Sequence, residues 1–177
     1  PRPYILYLSG GMGSGTSIKN SREWESIGDG WGHDDARVQA IETALERQWP
    51  ELDLLVRQRP YAQSPLSSSD FSRPEQTYRA ESYALEDLLS GATGVVCSQT
   101  TLVTQTLALG IPVAVQGRNE YEGEGLARRV PDLSALVDWV HDLNKGKNVL
   151  VDRPRFLART KSFVQNCVFS AGEYENL

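Results

Sequence analysis

The chain has 177 residues, 40% of them hydrophobic, which suits one α/β-sized domain with a filled core or one half of a two-domain enzyme. A formal charge of −5, spread along the chain without an acidic or basic tail, excludes the basic surface that nucleic-acid binding requires. No apolar stretch approaches the ~20 residues of a membrane span, and there is no signal-peptide pattern, so a soluble cytoplasmic protein is expected.

The apolar run Tyr4–Leu8, stopped by Ser9, Gly10 and Gly11, predicts a buried strand that enters a tight turn. Residues 10–32 are rich in Gly, Ser and Asn and read as loop. A helix is predicted over 34–49, with Val38, Ile41, Leu45 and Trp49 on its inner face and Pro50 as its stop. A second strand follows at 52–56. Residues 60–79, with three prolines and a serine run, read as a long surface excursion, and 81–89 as a short helix. The third strand is 94–97, a polar turn occupies 98–101, and a helix runs on to Leu109 with Gly110 as its stop. A fourth strand begins at Ile111. An amphipathic helix is expected over 132–144 through Leu133, Leu136, Val137, Val140 and Leu143, and a last helix after Pro154. Strands alternating with helices predict right-handed βαβ units, hence an α/β, Rossmann-like three-layer domain with a parallel sheet.

Among residues that carry chemistry, the segment 94–115 stands out. Its apolar strand ends in Ser98, Gln99, Thr100 and Thr101 before a helix begins, so hydroxyls and the free N–H groups of a helix start converge on one place. Such a turn lies at the carboxyl ends of the strands, where open parallel sheets hold ligands. The plain alternative is that Ser98 or Thr100 caps the helix.

The residues Ser98, Thr100, Gln105 and the run Leu107-Ala108-Leu109-Gly110-Ile111-Pro112 together resemble the donor-site turn and helix of GT-B glycosyltransferases. In many of those enzymes a glutamate on this helix accepts hydrogen bonds from the donor ribose. Gln105 stands at that position, and a neutral amide makes the weaker bond. Residues 52–60 resemble the strand and basic, proline-containing turn of capsule-polysaccharide transferases, with Arg57 and Arg59 where phosphate would be met and without the usual histidine. Residues 117–126, with Arg118 and Tyr121 facing the cleft, are similar to a stretch of bacterial capsule Kdo transferases.

The resemblance spans roughly 52–126. It implies the donor-binding half of a metal-independent enzyme of polysaccharide biosynthesis that transfers a sugar from a nucleotide-sugar to a glycan. An acceptor-binding domain or subunit would be its partner, and no cofactor beyond the substrate is implied. The opening Pro-Arg-Pro, without an initiator methionine, fits an excised or processed portion of something longer, such as a C-terminal half.

The glycine-rich loop after the first strand, with Gly10, Gly11 and Gly13, lets backbone approach a phosphate closely. Thr16 occupies the lysine position of an ATPase phosphate loop, which argues against that class. A mobile surface loop is the bland reading. His33, followed by Asp34 and Asp35, is a candidate general base or merely the acidic start of a helix. Two isolated histidines and no cysteine cluster make a zinc site unexpected. Cys97 and Cys167 read as small buried hydrophobes.

Two other readings stay open. The opening YILYLSGGM with Asn20, Arg22 and Trp24 resembles nucleoside deoxyribosyltransferase-like domains, which need a carboxylate where Gln105 stands. A non-catalytic nucleotide-binding module accounts for the missing carboxylate, histidine and lysine.

Overall fold

A computed structural model describes residues 2–9, 34–58, 66–98, 102–116, 126–145, 158–159 and 161–162. It contains β1 (Tyr4–Leu8), α1 (Asp34–Gln48), β2 (Asp53–Arg57), a 3₁₀ turn (Ser68–Asp70), β3 (Thr77–Arg79) and α2 (Leu85–Ser90). These are followed by β4 (Gly94–Ser98), α3 (Leu102–Ala108), β5 (Val113–Gln116), β6 (Arg128–Arg129) and α4 (Leu133–Asn144). The six strands form one sheet in the order β3-β2-β1-β4-β5-β6, and every pairing is parallel. This is the expected α/β Rossmann-like architecture, with the chain reversing its direction of travel between β1 and β4.

Parallel strands covered on both faces need apolar side chains on both, and β1, β2, β4 and β5 supply them. Ile5, Tyr7, Leu54, Val56, Val96 and Ala114 pack on one face beneath α1 and α4. Leu6, Leu8, Val95, Cys97, Val113 and Val115 pack on the other beneath α2 and α3. The inner face of α1 holds Val38, Ile41 and Leu45 as the spacing predicts, with Trp49 only partly buried. In α4, Leu136, Trp139 and Val140 are the buried set, while Leu133, expected inside, is 39% exposed. Asp132 caps α4, its carboxylate accepting the Ala135 N–H at 2.9 Å. Gly110 ends α3 with a φ of 70°, a conformation that glycine adopts without strain.

Gly94 is required for a different reason. A Cβ there would lie 2.9 Å from the Trp139 ring and 3.3 Å from both Ile5 and Leu143. Backbone and indole meet where only hydrogen fits. Gly94→Ala is therefore expected to destabilise the fold by about 1–3 kcal/mol through overpacking, read as a lower urea midpoint. An unchanged midpoint would mean that α4 yields freely at this contact.

The structure differs from the sequence reading most in three places, besides β5 starting at Val113 rather than Ile111. The 60–79 excursion, described from Leu66 onward, contains β3, which pairs with β2 through Leu54↔Thr77, Leu55↔Tyr78 and Val56↔Arg79. α2 begins at Leu85 rather than 81, because Ala80 still bonds to Val56 and the chain must turn before a helix can start. β6 was not anticipated at all. No helix among the described residues is long and apolar enough to cross a membrane.

The segment ahead of β3 is tied to α1 by one carboxylate. Glu42, 1% exposed, accepts the Ser72 N–H at 2.7 Å, the Arg73 N–H at 3.0 Å and the Thr77 hydroxyl at 2.7 Å.

Candidate functional site

Each of the four central strands changes character at its carboxyl end. One register level holds Val56, Tyr7, Val96 and Ala114 side by side, all buried in the core beneath α1 and α4. Two residues further along each strand the level reads Gln58, Ser9, Ser98 and Gln116. The pairing Ser98↔Gln116 belongs to the β4–β5 ladder, while Ser9 lies one step past both Leu8↔Arg57 and Leu8↔Cys97. Because strand side chains alternate between faces, positions two apart belong to the same face. An apolar row thus gives way to an uncharged polar row at the edge where open parallel sheets hold ligands.

Three of these residues are out of water, with Ser9 at 4%, Gln58 at 6% and Gln116 at 3% exposure. Gln58 turns its carbonyl oxygen to the Leu66 N–H at 3.0 Å, while its amide nitrogen has no hydrogen-bond partner. Gln116 has no partner for either its nitrogen or its oxygen. Buried polar atoms are nearly always paired, so these three open atoms stand out at this edge.

Arg57, expected to meet phosphate, ends β2 one residue before this level and is half-buried. One guanidinium nitrogen donates to the Tyr83 carbonyl at 2.8 Å, which fixes the side chain toward the segment after β3. A guanidinium has five N–H donors, so this bond does not consume it. Gln105 lies on the exposed side of α3, opposite the buried Val103, Thr106 and Leu107. Ser98 closes β4, next to Gln116 of β5. The other expected site residues, Gly10, Gly11, Gly13, His33, Arg59, Gln99, Thr100, Thr101, Arg118 and Tyr121, lie outside the described residues, as does Cys167. Cys97 is free and buried on the face of α2 and α3, and burial pushes its thiol up to about 12. It is a packing residue, as its apolar setting in the sequence implied.

Gln58 and Gln116 were missed in the sequence. Each is the first uncharged polar residue after an apolar strand, and lining up the ends of adjacent strands would have revealed the pair. A separate cavity of about 450 Å³ lies on the opposite face, over β2 and β3, among Tyr4, Leu55, Tyr78, Tyr83 and Leu88. It opens beside the six-residue α2, whose Leu88 lines it, and it does not include the polar row.

No protein-family model matches the sequence, and neither does any curated protein. Solved structures do match in fold. The glycosyltransferase SnogD from Streptomyces nogalater superposes with a TM-score of 0.58 at 16% identity over 90% of this chain and 39% of its own. UDP-GlcNAc 2-epimerase from Neisseria meningitidis, bound to UDP-GlcNAc, gives 0.55 at 14% identity over 90% of this chain and 38% of its own. The wall teichoic acid polymerase TagF gives 0.56 at 9% identity, covering 93% and 39%. The chain thus spans about 39% of the length of the structures it matches. At these identities the likeness is one of fold: the chain has the Rossmann-like α/β fold shared by GT-B glycosyltransferases and UDP-GlcNAc 2-epimerases.

Proposed function

We propose that this chain is the donor-binding unit of a GT-B glycosyltransferase, holding a sugar nucleotide at the carboxyl edge of its sheet and serving transfer of the sugar to a glycan. The observation that carries the reading is the uncharged polar row Gln58–Ser9–Ser98–Gln116, with Gln58, Ser9 and Gln116 buried, which lies in register at the edge where such sheets bind ligands. Arg57 at the same edge supplies positive charge for a phosphate. The turn of Ser98, Gln99, Thr100 and Thr101, with Arg59 and the Gly10, Gly11 and Gly13 loop, completes the diphosphate setting, and Gln105 meets the ribose. Positive charge and helix N–H groups, rather than a metal, then stabilise the departing nucleotide.

The finer reading, a capsule-type or Kdo-type transferase, rests on residues 52–60 and 117–126, with Arg118 and Tyr121 at the cleft. The acceptor would be held by a further domain or subunit. A reducing, cytoplasmic setting goes with this reading, supported by the free, buried Cys97.

Calorimetric titration with UDP-, GDP- and CMP-sugars, using the free nucleosides as controls, tests it. One sugar nucleotide is expected to bind at least about tenfold more tightly than its nucleoside, because the phosphates add charge-assisted bonds. Arg57→Ala should remove much of that advantage and leave nucleoside binding unchanged. Binding of none of these ligands by the folded protein would refute the proposal. Conversion of UDP-GlcNAc to its 2-epimer would move the chain to the epimerase class of its structural neighbours.

A further inference from the structure

We infer that Gln116 reads the ligand directly, and that the group it meets is uncharged and presents a hydrogen-bond donor and acceptor side by side. Vicinal hydroxyls of a sugar and the amide edge of a nucleobase both have that chemistry. The inference rests on the carboxyl edge being a sugar-nucleotide site.

Several polar side chains that the fold buries are satisfied from within. Glu42 accepts three hydrogen bonds, Thr77 donates to Glu42, and Thr106 donates to the Leu102 carbonyl at 2.8 Å. Gln58, Gln76 and Trp139 each leave a single buried atom open, whereas Gln116 leaves two. Among the described residues it is the one side chain with both polar ends buried and unpartnered. It is 3% exposed, so bulk water does not solvate the amide either. Leaving two such atoms open is costly to the free protein, and a side chain of the same length without polar atoms would avoid that cost.

The location says what the open amide is for. Gln116 is the last residue of β5 and pairs with Ser98 at the end of β4. Small Ala114 lies one level beneath it on the same face. On the same level, two strands beyond Ser98, the Gln58 amide nitrogen is open as well.

The chemistry of the amide narrows the partner. A phosphate or carboxylate oxygen would suit the NH₂ end and be repelled at the C=O end. A group that gives one hydrogen bond and takes one satisfies both ends together. The diphosphate is therefore held elsewhere along the edge, and Gln116 takes the neutral part of the ligand.

The test uses the complete chain and three substrates, UDP-GlcNAc, GDP-mannose and CMP-Kdo. Whichever binds the wild type is compared with its own nucleotide and nucleoside. In Gln116→Met, which keeps length and removes both polar atoms, the affinity for the sugar nucleotide is expected to fall about tenfold. The melting temperature should stay level or rise by about 2–4 °C, because an unsatisfied buried amide has been removed. A loss confined to the sugar nucleotide assigns Gln116 to the sugar; a loss shared by nucleotide and nucleoside assigns it to the base. Gln116→Asn retains the amide but withdraws it by one methylene, and it should also weaken binding, which keeps the test decisive if the methionine variant does not fold. Unchanged affinity in a folded variant overturns the inference while leaving the edge site standing. A wild type that binds none of the three overturns both.

Discussion

Glu42→Ala is expected to lower the unfolding free energy by about 3–5 kcal/mol, the upper range for a single substitution. The carboxylate is 1% exposed and accepts three hydrogen bonds, two of them from consecutive backbone N–H groups, Ser72 and Arg73. Truncation leaves those donors and the Thr77 hydroxyl without an acceptor and opens a cavity beneath them. It also releases the connection between α1 and the start of β3, because Thr77 is the first residue of that strand. Glu42→Gln is expected to recover only part of the loss. One of its two ends is an NH₂ group, which must face at least one of the three donors however the amide is turned. Thr77→Val removes a single donor and should cost about 1 kcal/mol. Urea unfolding with unchanged m-values checks the series, and equal midpoints for Glu42→Ala and Thr77→Val would show that the two backbone bonds carry no weight.

Trp139→Ala should cost a comparable amount, about 3–5 kcal/mol. Trp139 is among the largest fully buried side chains, 1% exposed, and its ring lies against the start of β4 at Gly94. The indole N–H adds a second consideration. It is buried without an acceptor, so the residue is retained for its shape rather than for its hydrogen bond. Trp139→Phe, which keeps an aromatic ring and discards the unpaired donor, is therefore expected to cost only about 1 kcal/mol. The smaller ring should also tolerate a methyl group at residue 94. Combining Gly94→Ala with Trp139→Phe should then cost less than the sum of the single changes. Strict additivity in calorimetric melts would show that the two residues do not press on one another.

These two sites mark where sequence patterns succeed and where they run out. β1, β2, β4 and β5 were legible as apolar runs because a parallel strand is buried on both faces. α1 and α4 were legible from their apolar spacing, with Pro50 behind one and Asp132 ahead of the other. Trp139 was missed within a helix whose extent was read correctly. Its neighbours Val137 and Leu133 carry the same periodic signal, although Leu133 lies 39% exposed. Only the approach of Gly94 shows which position faces the sheet.

β3 and β6 were hidden for another reason. Both are edge strands, three and two residues long. A strand of that length carries too few inward residues to alternate, and its pairing is decided by the neighbour that it meets rather than by its own pattern. The same limit applied to the site. The polar turn after β4 was visible as a cluster in one segment, whereas Gln58 and Gln116 are distant in sequence and become a set only through register.

The order of the sheet has a consequence for the birth of the protein. β1 is made before the other strands of the sheet, yet it stands at the centre, between β2 and β4. One flank can pair once Arg57 has emerged from the ribosome; the other must wait until residues 94–98 have been added. Once Arg79 has followed, and until then, a half-sheet of β3, β2 and β1 can exist with the apolar edge YILYL open, a segment with no charge and no proline to discourage pairing with another nascent chain. The finished molecule protects itself differently, ending its sheet in short strands that carry arginine, Arg79 on one side and Arg128 and Arg129 on the other. Its period of greatest exposure to misassembly is thus a stage of synthesis, closed when β4 docks.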